Sequence, residues 1–170
     1  MNNKIYLFGC GGMLGAAFYE VFNEDYELKC TDIDDNEKWI NYLDIRDFDA
    51  YKKDVIKFNS DYLFHLGALT SLEECELDYE NAYNTNTLGV KNATIIANEL
   101  NIPIIYISTA GIFDGKKDIY DDWDIPNPLG HYARSKYLGE KHVEKNARKY
   151  LICRAGWMMG GGPIKDKKFV

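Results

Sequence analysis

Short apolar segments alternate with amphipathic segments along the 170-residue chain, and this alternation constrains the fold more than any other feature. The apolar segments are predicted to be strands, at residues 5–8, 27–31, 39–43, 62–66, 104–107 and 150–154. Four other segments have helical character, at residues 14–22, 48–58, 72–100 and 131–149. Strands that are apolar on both faces and separated by helices favour a parallel sheet covered on both sides. Right-handed crossovers then predict an α/β fold with a doubly wound parallel sheet.

Glycine-rich and polar segments follow most of the predicted strands, and they mark the expected ligand site. In a doubly wound sheet, ligands bind beyond the carboxyl ends of the strands, where the connecting loops meet. The segments at that edge are residues 9–15, Asp32, 66–69, 108–114 and 155–162. Candidate functional residues are therefore expected in these segments.

Gly9, Gly12 and Gly15 form a Gly-x-x-Gly-x-x-Gly pattern between the first strand and the first helix. Gly9 permits a tight turn, Gly12 lets the backbone approach a pyrophosphate, and Gly15 lets the helix pack closely on the strand. The unpaired N–H groups at the helix N-terminus favour phosphate binding. The pattern predicts a dinucleotide-binding loop that includes Met13 and Leu14, and a glycine-rich turn without a ligand is the alternative.

Asp32 ends the second strand, where its carboxylate can accept hydrogen bonds from the ribose hydroxyls of a bound dinucleotide. Asp34 and Asp35 follow, with no arginine or lysine directly after them. A 2′-phosphate would face three acidic residues, so the sequence predicts NAD(H) as the preferred cofactor, with NADP(H) as the alternative. An acidic surface loop without a ligand is the other interpretation.

Tyr132 and Lys136 are four residues apart on a predicted helix, so their side chains lie on one face. A tyrosine beside an ammonium group is expected to have a lowered pKa and can act as a general acid towards a carbonyl oxygen. The spacing alone is not specific, since Tyr137 and Lys141 repeat it. Position favours the first pair, because Tyr132 lies in the first turn of its helix. Thr109, at the end of the fifth strand, can hydrogen-bond a substrate carbonyl there, although a strand-end threonine more often caps a loop.

Charge and cysteine content exclude several classes of function. The net charge of -7 disfavours binding to nucleic acid or to anionic membranes. The four cysteines form no Cys-x-x-Cys pair, which favours reduced thiols in a cytoplasmic protein without a metal site. His65 and His142 are expected to be hydrogen-bonded or exposed histidines rather than metal ligands.

Together these motifs resemble the extended short-chain dehydrogenase/reductases, in order and spacing and over nearly the whole chain. Within that superfamily the sequence is most similar to the dTDP-4-dehydrorhamnose reductase family of sugar-nucleotide reductases. The motifs that carry the resemblance are Gly9-x-x-Gly12-x-x-Gly15, His65-Leu66-Gly67-Ala68, Asn86-x-x-Gly89-x-x-Asn92, Ser108-Thr109-Ala110-Gly111-Ile112-Phe113-Asp114-Gly115, Pro128-Leu129-Gly130-His131-Tyr132, Tyr132-x-x-x-Lys136-x-x-Gly139-Glu140 and Arg154-Ala155-Gly156-Trp157.

The resemblance implies a Rossmann fold that binds NAD(P) and reduces a nucleotide-linked 4-keto-sugar. Thr109, Tyr132 and Lys136 are then the catalytic residues, with Tyr132 protonating the C4 carbonyl oxygen and Lys136 binding the nicotinamide ribose. The resemblance adds further cofactor-binding residues to the glycine loop and Asp32: Asp44 and Ile45 beside the adenine, Gly67, Ala68 and Leu69 along the dinucleotide, and Asn86 as support from the next helix.

The chain departs from the family in two respects. Ala110 and Gly111 replace an acidic and an aromatic residue that border the substrate in the family, and members of the family continue well beyond residue 170. Residues 1–156 are therefore expected to form the dinucleotide-binding domain, and residues 157–170 the start of a truncated substrate-binding region. Such a chain is expected to bind cofactor without appreciable turnover. Trp157, Met158 and Met159 are expected either to be disordered or to join two copies in a homodimer.

Two other functions remain open at this point. A sugar-nucleotide epimerase or dehydratase of the same superfamily has the same Tyr/Lys pair with a tightly held NAD. A non-catalytic regulatory subunit that binds NAD(P) is the third interpretation, which the departures at Ala110 and Gly111 favour.

Overall fold

The computed structural model describes residues 3–162, which form one six-stranded sheet with helices on both faces. The strands are β1 (Lys4–Phe8), β2 (Glu27–Asp32), β3 (Ile40–Tyr42), β4 (Tyr62–His65), β5 (Ile104–Thr109) and β6 (Tyr150–Ala155). They pair in the order β3-β2-β1-β4-β5-β6, and every pair is parallel. The doubly wound parallel sheet predicted from the sequence is therefore confirmed. The order reverses between β1 and β4, which places the expected crevice beyond the carboxyl ends of these two strands.

Six α-helices connect the strands. They are α1 (Met13–Phe22), α2 (Phe48–Phe58), α3 (Leu72–Leu77), α4 (Tyr79–Tyr83), α5 (Gly89–Leu100) and α6 (His131–Asn146). A π-helical segment, Asn84–Leu88, joins α4 to α5, and a single 3-10 turn, Ala110–Ile112, follows β5. The long predicted helix over residues 72–100 is thus divided into four segments.

The division at Asp78 has a local cause. Asp78 has φ -131°, outside the helical region, and its side chain accepts a hydrogen bond from the Asn81 N–H. A short acidic side chain that caps the next helix in this way competes with helix continuation. Periodicity across the segment conceals this competition, because both short helices pack against the same neighbour, α6.

The core has two halves because β1 is buried on both faces. Tyr6 and Phe8 point to a cluster beneath α2, α5 and α6, whereas Ile5 and Leu7 point to a second cluster beneath α1. This alternation is the reason why β1 is apolar throughout rather than at every second position. The helix predicted over residues 131–149 ends at Asn146, and the Arg148 N–H donates instead to the Asn98 side chain.

The sheet ends with β6 at Ala155, close to the domain boundary predicted after residue 156. That boundary stays a prediction. Trp157 and Met159 are 75% and 71% exposed, while residues 163–170 of the predicted tail lie outside the described residues. Within residues 3–162, no helix combines the length and apolar character that a membrane span requires.

Candidate functional site

The glycine loop lies at the reversal point of the sheet, between β1 and α1. Gly9 has φ +95°, and a Cβ atom there would collide with the backbone of Gly67 in the loop after β4. A Cβ atom at Gly15 would collide with the Gly9 carbonyl oxygen, so α1 packs directly on the turn. Gly12 differs from both, since it is exposed and its nearest contact would be 3.7 Å away. The crowded glycines shape the loop, and the N-terminus of α1 at Gly12 is left open to a ligand.

Asp32 lies beside this loop, at the carboxyl end of β2. One carboxylate oxygen accepts from the Gly11 N–H at 2.9 Å, and the other accepts from the Asp34 N–H at 3.0 Å. Burial raises the pKa of the Asp32 carboxyl group, and these backbone hydrogen bonds oppose the shift. A carboxylate has about four acceptor positions, so ribose hydroxyls can still be bound. Asp32 therefore has a structural task, holding the glycine loop, that its position in the sequence did not reveal.

Asn86 organises the loop that follows β4. It is 1% exposed, accepts from the Leu69 N–H at 2.8 Å, and donates to the Leu69 carbonyl at 3.0 Å and to the Ser135 hydroxyl on α6 at 3.1 Å. The wide π-helical turn brings this amide into the interior. Gly67, Ala68 and Leu69 are half-buried at the same edge as the glycine loop. The structure thus brings the residues predicted in the loop after β4 together with Asn86 of the π-helical segment.

Asp44 and Ile45 lie in the loop after β3, and they differ in exposure. Asp44 is half-buried and pairs with Arg46 at 2.6 Å, and this hydrogen-bonded pair lowers the pKa of the Asp44 carboxyl group. Ile45 is 1% exposed and packs in the core against Gly89. Of the pair predicted beside the adenine, Ile45 is therefore a core residue and Asp44 is the accessible member.

Met13 and Leu14 begin α1 and are half-buried, and Leu14 packs on the core beneath that helix. Thr109 ends β5, and its hydroxyl accepts from the Gly111 N–H at 3.1 Å. Tyr132 lies close to Thr109 in the first turn of α6. The structure thus brings Thr109 and Tyr132 together at the carboxyl edge of the sheet.

The expectation that Lys136 lowers the pKa of Tyr132 is wrong for this structure. Burial raises the pKa of Tyr132, and the hydrogen bond with Thr109 opposes the shift only in part. The Lys136 ammonium does not point at the phenol: it donates to the Ile107 carbonyl at 2.6 Å. A raised pKa keeps the phenol protonated at neutral pH, which suits a proton donor.

Lys136 is enclosed beneath the sheet edge, at 3% exposure. Its ammonium lies 4.5 Å from the centroid of the Tyr106 ring, and burial lowers its pKa to about 7. His65 lies in the same enclosure, with its ring 6.1 Å from that of Tyr106. Burial and the charge of Lys136 lower the pKa of His65 to about 3, so this histidine is neutral. His65 was expected to be hydrogen-bonded or exposed, but it is fully buried and neither ring nitrogen has a hydrogen-bond partner among residues 3–162.

Sequence reasoning about the site missed a buried ion pair beneath Thr109. Glu140 on α6 is 0% exposed and bonds Arg154 on β6 at 2.8 Å and the Ser108 hydroxyl on β5 at 2.5 Å. The spacing of Tyr132, Lys136 and Glu140 by four residues was a usable signal, because it places all three on one helix face. An acidic side chain on a buried face needs a partner in the fold.

A cleft opens next to Thr109, on the side away from the glycine loop. Its volume is about 330 Å³, and its lining residues include Ala110, Phe113, Tyr120, Asp122 and Arg154. The Phe113 and Tyr120 rings stack at 4.5 Å. Ala110 at the edge of this cleft and the next residue, Gly111, are small and exposed. Across residues 3–162, no group of three or more His, Cys, Asp or Glu side chains is placed to hold a metal ion.

The sequence matches the family described as "RmlD substrate binding domain" over residues 3–170. A dTDP-4-dehydrorhamnose reductase of Aggregatibacter actinomycetemcomitans is 30% identical over 160 residues, which are 92% of this chain and 52% of that protein. Methionine adenosyltransferase 2 subunit beta of Danio rerio is 27% identical, over 92% of this chain and 48% of that protein.

A solved structure supports the same relationship. The dTDP-4-dehydrorhamnose reductase of Bacillus anthracis in complex with NADP superposes with a TM-score of 0.85 at 28% identity, covering 94% of this chain and 55% of that one. This chain therefore spans about half the length of the proteins it matches. The fold and the sequence both relate it to the N-terminal portion of sugar-nucleotide reductases.

Proposed function

Because this chain belongs to the RmlD substrate-binding-domain family, we propose that it supplies the cofactor site and the proton donor for reduction of a nucleotide-linked 4-keto-sugar. The observation that carries the proposal is the position of Tyr132. Its phenol lies beside Thr109 at the sheet edge where Gly12 leaves the N-terminus of α1 open. The cytoplasm is the proposed compartment, supported by four free cysteines.

The residues present fit a nicotinamide dinucleotide. Gly12 allows the backbone to approach a pyrophosphate, the first N–H groups of α1 face that position, and Asp32 retains acceptor positions for ribose hydroxyls. When bound, the nicotinamide supplies the hydride. The acidic segment after β2 favours NAD(H), although the solved relative from Bacillus anthracis contains NADP.

The chain's own groups supply the proton and its setting. Tyr132 donates its phenolic proton to the C4 carbonyl oxygen of the sugar as that oxygen gains negative charge. The Thr109 hydroxyl, which has one proton to donate, offers a second hydrogen bond to the same oxygen. The ammonium of Lys136 stabilises negative charge at the same edge and binds the nicotinamide ribose.

The cofactor assignment is tested by calorimetric titration of the 170-residue protein with NADH and with NADPH. We expect tighter binding of NADH, and at least about tenfold weaker binding in Asp32→Ala, because the ribose loses a charged acceptor. Asp35→Ala removes an exposed carboxylate of the same segment and is expected to bind NADH like the unmodified protein. NADPH binding as tight as NADH binding would refute the preference for NAD(H).

The reaction is tested with a protein that carries this chain followed by a C-terminal segment of the length found in its relatives. NADH oxidation in the presence of dTDP-4-dehydrorhamnose is expected, and Tyr132→Phe should lower its rate by about 10²–10⁴-fold. Tyr137→Phe alters the other tyrosine of the Tyr/Lys spacing and should leave the rate unchanged. An equal loss in both variants would contradict the role of Tyr132.

A non-catalytic regulatory subunit is the second candidate function. The likeness to methionine adenosyltransferase 2 subunit beta and the small residues Ala110 and Gly111 favour it. NADH binding without sugar-dependent oxidation would support this candidate. An epimerase is distinguished by NAD that stays bound through purification.

A further inference from the structure

Glu140 is a fully buried carboxylate that the proposed reaction does not use. It lies one turn beyond Lys136 on α6, and both of its oxygens are bonded. Arg154 holds it with two nitrogens, at 2.8 Å through Nη2 and 3.2 Å through Nε, and Ser108 donates at 2.5 Å. Arg154 and Ser108 together fix this carboxyl group in place.

Close packing of α6 allows Glu140 to reach β5. A Cβ atom at Gly139 would lie 2.7 Å from the Asn86 carbonyl oxygen and 2.9 Å from the Tyr106 hydroxyl, so only glycine permits this approach. The same Tyr106 hydroxyl donates to the Lys136 carbonyl at 3.0 Å. Glu140 thus ties α6 to Ser108, the residue that precedes Thr109.

Among residues 3–162, Glu140 is the only buried carboxylate and Lys136 the only buried ammonium group. Lys136 bonds the Ile107 carbonyl and Glu140 bonds the Ser108 hydroxyl, so the two side chains reach adjacent residues of β5. Arg154 pairs with Glu140 at 2.8 Å and with the exposed Asp122 at 3.5 Å. The other groups that face Lys136 are neutral: His65 on β4, and Tyr106 and the Ile107 carbonyl on β5. The negative charge of Glu140 opposes the effect of burial on the pKa of Lys136.

We propose that Glu140 is a positioning residue that holds α6, with Tyr132 and Lys136, against Ser108 and Thr109 at the end of β5. Its negative charge also favours the ammonium form of the buried Lys136 one turn away. The role of Lys136 in reduction rests on the proposed function. The electrostatic coupling between Glu140 and Lys136 does not rest on the proposed function, because it is a property of the ligand-free protein. Arg154 moderates this coupling, since it shares the Glu140 carboxylate.

The test is a titration of the lysine side chains by NMR, using ¹³C-lysine-labelled protein of 170 residues. Exposed lysines titrate near about pH 10.4, so the buried Lys136 is resolved by its lower midpoint and assigned by its loss in Lys136→Met. In Glu140→Gln the midpoint is expected to fall by about one pH unit, because a nearby opposite charge is removed. Glu144→Gln, the same change at a half-buried position of α6 where the carboxylate pairs with Lys141, should leave the Lys136 midpoint in place.

Arg154→Gln is expected to shift the Lys136 midpoint in the opposite direction. Without the guanidinium, the Glu140 charge acts on Lys136 alone, and the midpoint is expected to rise. If Glu140 and Arg154 formed only a structural ion pair, the Lys136 midpoint would not fall in Glu140→Gln and rise in Arg154→Gln. An unchanged midpoint in a folded Glu140→Gln protein overturns the proposal. If that variant does not fold, as judged by circular dichroism, an unchanged or lower midpoint in Arg154→Gln overturns it.

The titration needs neither cofactor nor sugar, so its result is independent of the proposed reduction. If the sugar assay fails but the Lys136 midpoints shift as expected, the coupling between Glu140 and Lys136 stands. Only its role in catalysis is then removed. Unchanged midpoints with an active reductase would remove the role of Glu140 and leave the proposed function.

Discussion

Gly9→Ala is expected to lower the free energy of unfolding by about 3 kcal/mol and to abolish NADH binding. The φ of +95° is unfavourable for alanine, and the new methyl group would collide with the Gly67 backbone. Rotating a side chain cannot relieve this collision, because the obstructing atoms are backbone atoms of the neighbouring loop. Urea unfolding and calorimetric titration with NADH measure the two effects.

Gly12→Ala is the matched control for this prediction. Its Cβ atom would lie 3.7 Å from the nearest atom and its φ is -80°, so the fold should be unaffected. The methyl group would nevertheless stand where the backbone is expected to meet the pyrophosphate, and NADH binding should weaken with stability unchanged. Gly12→Ala with unaltered NADH affinity would show that the loop does not hold the cofactor in the proposed way.

Lys136→Met is expected to stabilise the protein by about 3 kcal/mol near pH 6 while abolishing any function of the site. Burial lowers the pKa of Lys136 from 10.5 to about 7, so charging this side chain opposes folding. Methionine has a similar shape and no charge, and the lost hydrogen bond to the Ile107 carbonyl offsets only about 1 kcal/mol of the gain. Glu140 keeps its partner Arg154 in this variant.

The gain should depend on pH with a definite sign. Between pH 7 and 10.5 the unfolded chain binds more protons at this lysine than the folded protein does, so stability rises with pH. The advantage of Lys136→Met should therefore be complete below about pH 7 and nearly absent close to pH 10. Lys141→Met, on an exposed turn of α6, should change stability by less than about 0.5 kcal/mol. A gain that is independent of pH would contradict the buried charge as its cause.

The strands and the glycine loop were predictable because they depend on local patterns. Apolar runs such as residues 5–8 and 104–107 need burial on both faces, and only a central parallel strand covered by helices provides it. The turn at Gly9 requires a positive φ, and glycine is the residue that adopts a positive φ most readily. Tyr132 and Lys136 were located by spacing on a helix and by their place in its first turn and second turn.

The internal arrangement of the site was not predictable, because it depends on contacts between segments far apart in the chain. Periodicity over residues 72–100 indicates one helix, yet the Asp78 side chain caps a new one there, and the π-helical turn then places Asn86 in the interior. Ile45 adjoins the half-buried Asp44 in sequence, but Gly89 leaves room for the Ile45 side chain in the core.

The sequence by itself determined the parallel sheet, the glycine loop and which residues reach the carboxyl edge, because these follow from backbone conformation and the periodicity of burial. Only the tertiary structure decided which partners the charged side chains bond. Lys136 donates to the Ile107 carbonyl rather than lying against Tyr132, Asp32 holds the glycine loop, and Glu140 meets Ser108 and Arg154 in the interior. A buried polar group must find its partner among whatever atoms packing brings within reach, and those atoms come from other strands and helices.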